Sequence, residues 1–66
     1  MRNRLRVERA ELRMTQQQLA EAVGVSRQTI HAIENGRFVP STVLALKIAR
    51  RFGKPVEAIF MLEEGE

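Results

Sequence analysis

The 66-residue sequence contains no cysteine, tryptophan or tyrosine, and only one histidine, His31. Without cysteine there is no disulfide and no thiolate metal site, and a lone histidine cannot hold a metal ion. No apolar stretch approaches the roughly 20 residues that span a bilayer, and the charged start of the chain lacks the apolar segment of a signal peptide. We therefore expect no metal, no cofactor, no membrane partner and a cytoplasmic protein.

Groups that perform catalysis are equally scarce. There is no glycine-rich phosphate loop, no cysteine nucleophile and no acid–base pair at a plausible pocket. An enzyme is not expected. Three phenylalanines are the only aromatic residues, so the core must consist mostly of leucine, isoleucine, valine and alanine, as in packed helices.

The charge is distributed unevenly along the chain. The formal net charge is +3, but Glu63, Glu64 and Glu66 crowd the last four residues. Residues 1–62 therefore keep eleven basic and five acidic side chains, a net charge of +6. A basic body favours a polyanionic partner, although many small soluble proteins are basic without binding one. We expect a single domain, with residues 1–62 as its folded body and residues 63–66 as an acidic tail.

Short periodic segments separated by glycine and proline predict an all-α domain of five helices. The first helix spans residues 4–13, with Leu5 and Leu12 on its buried stripe. The second begins at Thr15, which forms a capping box with Gln18. The third, fourth and fifth begin at Ser26, at Ser41 and near Pro55. The apolar faces of helices two to five consist of Leu19, Ala20 and Val23; Ile30 and Ile33; Leu44, Ala45, Ile48, Ala49 and Phe52; and Val56, Ile59 and Phe60.

The outward face of the third predicted helix carries the side chains with binding chemistry. Arg27, Gln28, His31, Ala32 and Asn35 lie opposite its apolar residues, and no acid is among them. Arginine suits guanine, glutamine and asparagine suit adenine, and a small apolar side chain suits the methyl group of thymine. An ordinary solvated face is the alternative, but the tight turn at residues 24–26 favours a helix-turn-helix.

Several motifs in order resemble one family along nearly the whole chain. These motifs are TQQQLA at residues 15–20, GVSRQTI at 24–30, IENGR at 33–37, PS at 40–41, ALKIA at 45–49, FG at 52–53 and IF at 59–60. They resemble the Cro/cI-type (XRE-like) helix-turn-helix regulators, and most closely the compact stand-alone repressors. The resemblance implies a lambda-repressor-like fold, sequence-specific binding of double-stranded DNA, and regulation of transcription.

The resemblance also implies roles for individual residues. Those at base-reading positions are Arg27, Gln28 and His31. Those at positions that contact the DNA backbone or brace the reading helix are Gln16, Gln17, Ser26, Thr29, Asn35 and Arg37. Arg9 and Glu34 match a structural salt bridge. Other readings stay open: Ser26 as a cap, Thr29 as a packed residue, Asn35 as a cap, and Gln16 and His31 as plain surface residues. The sequence departs from the family at Glu8, Leu12, Arg13 and Thr42, which affects the packing of the first and fourth helices.

Surplus apolar residues near the end of the chain predict a homodimer. The predicted interface contains Val56, Ile59, Phe60, Met61 and Leu62, unless these side chains only complete the core. Residues 2–4 could also pair with residues 61–63 as a short β-ribbon. The leading function is a repressor that binds a palindromic operator as a dimer. The alternatives are an antitoxin that also binds its own operator and a protein-interaction module whose reading face is idle.

Overall fold

A computed structural model describes residues 1–66. A short strand β1 (Arg2–Asn3) precedes four helices, and a second short strand β2 (Phe60–Met61) closes the fold. The helices are α1 (Leu5–Glu11), α2 (Gln16–Val23), α3 (Arg27–Glu34) and α4 (Thr42–Phe52). None of these helices has both the length and the apolar character needed to cross a bilayer. The chain is therefore mostly helical, with a two-stranded sheet at its ends.

Local sequence signals set the ends of the helices. Thr15 and Gln18 form a capping box at the start of α2, and Ser26 and Ser41 accept backbone hydrogen bonds at the starts of α3 and α4. Gly24 and Gly53 end α2 and α4 in the left-handed conformation. These starts and stops confirm the predictions, because caps depend only on residues a few positions apart.

Twelve apolar side chains form one core between the helices and the sheet. The largest fully buried members are Leu5, Leu19, Ile30, Ile33, Ile48 and Ile59. They come from α1, α2, α3, α4 and the segment before β2, so all four helices and the end of the chain share one interior. The predicted inward faces of the second, third and fourth helices are confirmed at Leu19, Ile33 and Ile48.

The predicted fifth helix is wrong. Only one 3-10 turn forms after Pro55, at Val56–Ala58, and the chain then becomes extended. Ile59 accepts a backbone hydrogen bond from Arg4 at 2.8 Å, and Phe60–Met61 pairs with the start of the chain. Because this pairing and the burial of Ile59 use the residues of a second helical turn, the helix cannot continue.

The expected pairing of the chain ends is present, but each strand has only two residues, and the C-terminal strand begins at residue 60, one residue earlier than expected. The strands run antiparallel, with Arg2 opposite Met61 and Asn3 opposite Phe60. Asn3 also joins this sheet to the helices: its side-chain amide donates to the carbonyl of Ile33 at 2.9 Å, and its Oδ1 accepts from the backbone of Leu5 at 3.1 Å. The sheet therefore supports the C-terminal end of α3.

Helix α1 packs differently from the prediction. Leu12 is 53% exposed beyond the end of the helix, whereas Glu8, one turn after the buried Leu5, is only 3% exposed. Lys54 compensates the buried carboxylate of Glu8, since its Nζ lies 2.6 Å from Oε1, and Arg4 Nε lies 3.7 Å from Oε2. Glu8, which stands where the family usually has an apolar residue, thus joins α1 to the loop after α4 through Lys54.

Candidate nucleic-acid interface

The outward face of α3 is a row of exposed polar side chains. Arg27, Gln28, His31 and Asn35 are exposed, whereas Ile30 and Ile33 on the opposite side are buried. Ser26 fixes the start of this helix by accepting the backbone hydrogen bond of Thr29 at 3.2 Å. The first turn of α3 therefore presents Arg27 and Gln28 to solvent.

The side-chain amide of Gln16 connects α2 to three residues of α3. Its Nε2 lies 3.1 Å from Oε1 of Glu34 and 3.3 Å from Nδ1 of His31. Its Oε1 accepts a hydrogen bond from a guanidinium nitrogen of Arg27 at 3.3 Å. The arrangement braces the reading helix, which is one of the two roles implied for Gln16. Gln17, the next residue, is exposed to solvent.

Arg9 and Glu34 form a hydrogen-bonded ion pair. Arg9 Nε lies 2.7 Å from Oε2 of Glu34 and its NH2 group lies 3.2 Å from Oε1, so the contact is bidentate. The carboxylate of Glu34 is fully buried, and Arg9 also donates to the carbonyl of Met14 at 2.8 Å. One arginine therefore joins α1, the loop before α2 and the end of α3.

The charge of Glu34 is stabilised despite its burial. Burial by itself raises the pKa of a carboxyl group. The hydrogen bonds from Arg9 and Gln16, together with the positive charges of Arg9 and Arg6, outweigh that effect and hold the pKa of Glu34 below its ordinary value of 4.5. The only acid on α3 is thus neutralised locally and does not oppose an approaching polyanion.

The ring of His31 lies between two side-chain amides. Besides Gln16 at Nδ1, the Nδ2 atom of Asn35 lies 3.1 Å from Nε2 of the ring. A neutral imidazole has one acceptor nitrogen, so only one of the two amides can donate to it at a time. Asn35 also donates to the backbone carbonyl of His31 at 2.9 Å, which is a helix-capping contact.

The chain reverses direction directly after α3. Gly36 adopts the left-handed conformation, with φ of 71°, and its N–H donates to the carbonyl of Ile33 at 3.0 Å. The next N–H, that of Arg37, donates to the carbonyl of Ala32 at 2.9 Å. This Schellman-type ending returns Arg37 to the side of α3, where its exposed side chain can reach a phosphate.

The residues predicted for a dimer interface separate into two groups. Ile59 is fully buried and Phe60 nearly so, and therefore both belong to the core of the chain itself. Val56 and Met61 are half-buried, and Leu62 is 69% exposed. The alternative that such side chains complete the core therefore holds for Ile59 and Phe60. Their apolar pattern predicts the surface of a fifth helix, and that helix does not form.

An apolar groove lies beside these residues, with a volume of about 270 Å³. Val39, Leu46 and Val56 are among its lining side chains, together with Met1, Pro40, Thr42, Ala45 and Phe60. No aspartate, glutamate, lysine or arginine lines it. Val43, one turn before Leu46 on α4, is also exposed. We call the surface formed by these eight lining residues the apolar groove.

Ala32 in α3 and Phe38 in the loop after it were not predicted as site residues. Ala32 and Phe38 line a cleft with Gln28 and Arg37. The sequence placed Ala32 on the outward face, where a small apolar side chain suits the methyl group of thymine, but Ala32 was not among the predicted site residues. Phe38 follows the end of the predicted helix, and its position against α3 depends on the chain reversal at Gly36.

A family model described as helix-turn-helix matches residues 5–59, which includes α1 to α4. An uncharacterized HTH-type transcriptional regulator of Methanothermobacter thermautotrophicus is 54% identical over 65 residues, covering 97% of this chain and 94% of that protein.

Two further relatives have the same extent. An uncharacterized HTH-type transcriptional regulator of Methanocaldococcus jannaschii is 52% identical, and the match covers 100% of both chains. Another from Bacillus subtilis, YgzD, is 48% identical over 64 residues, covering 97% of each chain. The similarity therefore extends through the reading helix, the sheet and the apolar groove.

Proposed function

The chain belongs to the Cro/cI-type (XRE) helix-turn-helix family, and from this premise we propose that it is a sequence-specific DNA-binding repressor that acts as a homodimer. The coarse activity, DNA binding in transcription regulation, is that of its family and of relatives named as transcriptional regulators. The observation that carries the finer proposal is the exposed, acid-free face of α3, braced by Gln16.

Base recognition is assigned to the first turns of α3. Arg27 and Gln28 project from the end of the helix that enters the major groove in this class of protein. Arg27 can pair with a guanine and Gln28 with an adenine. His31 lies on the same face, and it can take part once one of its two amide partners releases the ring. Gln17, Asn35 and Arg37 are the proposed backbone contacts.

A dimer completes the recognition of an operator. One chain presents one reading helix, which spans a half-site, and two-fold dimers of such proteins place two reading helices about 34 Å apart. The proposed dimer surface is the apolar groove, whose lining includes the exposed Val39 and Leu46, together with the exposed Val43. Exposed apolar surfaces of this kind favour association. Met61 and Leu62 stay in the proposed interface, whereas Ile59 is fully buried in the core and Phe60 contributes only the small exposed part that lines the groove.

The experiment that tests this function is selection of bound sites from random duplex DNA, followed by titration of the recovered site. We expect a palindromic site whose two half-sites keep the same separation in all selected sequences. Its dissociation constant should be at least about 1,000-fold below that of random duplex. Transcription from a promoter that overlaps the site should fall when the protein is added. Equal affinity for selected and random DNA at every salt concentration would contradict sequence-specific recognition.

A further inference from the structure

A cleft of about 360 Å³ lies along the side of α3 that faces away from α2. Gln28 and Ala32 form one of its walls, and Arg37 and Phe38 form the other, with Ser26 and Thr29 completing the lining. It therefore adjoins the proposed adenine-reading residue, Gln28. No acidic side chain lines it, so DNA can approach it without charge repulsion.

The shape of the cleft is fixed by the backbone. The left-handed turn at Gly36 and the 2.9 Å hydrogen bond from Arg37 to the carbonyl of Ala32 fold the chain back against α3. The following residues form no regular secondary structure, and neighbouring side chains line different surfaces. Phe38 lines the cleft beside α3, whereas Val39 lines the apolar groove. The ring of Phe38 thus belongs to the reading surface and not to the proposed dimer surface.

The exposure of Phe38 has no explanation in the core. The ring is 49% exposed, whereas Phe60 is buried and Phe52 packs against the core. The methyl group of Ala32 lines the same cleft. The cleft thus combines the apolar side chains of Phe38 and Ala32 with Gln28, which can hydrogen-bond a base, and Arg37, which can bind a phosphate. This combination suits a nucleotide whose base carries an apolar group near its anionic phosphate.

Thymine carries such an apolar group in the major groove. Its C5-methyl group is the apolar feature that distinguishes it there from cytosine. We propose that the cleft receives the C5-methyl group of a thymine, with Phe38 and Ala32 as its contacts and Arg37 on the neighbouring phosphate. The assignment rests on the proposed function. It makes Phe38, a residue of the loop, a determinant of base specificity.

Replacement of thymine by deoxyuridine tests this contact, because it removes only the methyl group. In each half of the selected palindromic site, every thymine is replaced in turn, and the dissociation constant is measured for the unaltered protein. At one position the replacement should weaken binding about fourfold for each half-site, the effect of losing one buried methyl group. For the Phe38→Ala variant, deoxyuridine at that position should have little effect.

Two control variants make the result specific. Phe38→Leu keeps an apolar side chain and should retain part of the sensitivity to deoxyuridine. Leu12→Ala removes an equally exposed apolar side chain from a different surface and should retain all of it. Thermal unfolding followed by circular dichroism establishes that each variant is folded.

The outcomes separate this inference from the proposed function. A selected site that binds tightly but contains no thymine, or deoxyuridine effects that are the same in the unaltered protein and in Phe38→Ala, would overturn the cleft assignment and leave sequence-specific binding intact. Failure to select any site would instead contradict the proposed function. A restored affinity with 5-methylcytosine at the critical position, but not with cytosine, would identify the methyl group as the feature recognised.

Discussion

The side-chain amide nitrogen of Gln16 lies 3.1 Å from the buried carboxylate of Glu34, and this contact joins the two helices of the helix-turn-helix. The same carboxylate is held from the other side by Arg9 at 2.7 Å. Because Gln16 also accepts a hydrogen bond from Arg27, the position of a proposed base-reading side chain depends on a residue of the preceding helix.

Replacement of Gln16 should therefore affect both folding and DNA recognition. Gln16→Ala removes contacts to three residues of α3 and should lower the free energy of unfolding by about 1 kcal/mol, with a loss of specific affinity of about tenfold. Gln17→Ala is the matched comparison, since Gln17 is exposed. It should leave stability unchanged and weaken binding to all duplexes alike. Urea unfolding and fluorescence anisotropy measure the two effects, and equal stability of the two variants would contradict the bracing role.

The ion pair of Glu34 predicts a loss of stability in acid. The pKa of Glu34 is lower in the folded chain than its ordinary value of 4.5. Its ionisation therefore stabilises the fold fully above about pH 4.5, and this contribution disappears as the pH falls from there through the lowered pKa. Glu34→Gln leaves Arg9 without its partner and should cost about 3 kcal/mol near neutral pH.

Urea unfolding from about pH 7 to about pH 3 tests the contribution of Glu34. The difference in stability between the unaltered protein and Glu34→Gln should shrink as the solution becomes acidic. A difference that stays constant across this range would mean that packing, and not the charge of Glu34, holds α3 in place.

Gln28 should contribute to the choice of bases. Gln28→Ala is expected to cost about 1–3 kcal/mol of binding at the selected site and to relax the preference at one base pair. Its side chain is exposed, so folding should be unaffected. Titration of the selected site and of single-base variants measures this preference. If binding to selected and random duplex weakened equally, Gln28 would be a backbone contact.

Arg37 should contribute charge without sequence preference. Arg37→Ala is expected to weaken binding to all sequences and to reduce the slope of log K against log salt concentration by about 1. Arg50→Ala is the control, because Arg50 is an exposed arginine that lines a separate cleft with Lys47 and Arg51. It should leave the slope nearly unchanged. Equal slopes for both variants would show that only the total charge matters.

The apolar groove should control assembly. Leu46→Glu places a carboxylate on the proposed dimer surface and should raise the dissociation constant of the dimer by about 100-fold, because the charge would be buried without a partner. Leu12→Glu is the matched control, since Leu12 and Leu46 are 53% and 52% exposed on different surfaces. Sedimentation equilibrium distinguishes the variants. A dimer retained by Leu46→Glu but lost in Leu12→Glu would place the interface elsewhere.

The sequence was most informative where the structure depends on near neighbours. The caps at Thr15, Ser26 and Ser41 were predicted correctly, because a cap links residues only three positions apart. The apolar faces of α2, α3 and α4 followed from helical periodicity in the same way. These elements fix which side of α3 is exposed, so the position of its polar outward face could be predicted.

Contacts between distant residues were harder to predict. Glu8 is buried because Lys54, 46 positions later, supplies its counter-charge at 2.6 Å, and no local pattern indicates this pair. The fifth helix was predicted from an apolar pattern at Val56, Ile59 and Phe60. Pairing of the chain ends instead draws Phe60 into a strand. The same pattern placed Ile59 and Phe60 in the predicted dimer interface, whereas both side chains are buried in the core of the chain itself.

The hydrogen bonds of Gln16 divide the reading face into residues that can change alone and residues that cannot. Arg27 and His31 both contact the side-chain amide of Gln16. Replacement of either residue therefore removes a hydrogen-bond partner of Gln16 and disturbs the network. The side chains of Gln28, Ala32 and Phe38 stand outside this network. New operator preferences are therefore most accessible, in laboratory evolution or in descent, through substitutions at positions 28, 32 and 38, where a single change alters recognition without disturbing the frame that presents it.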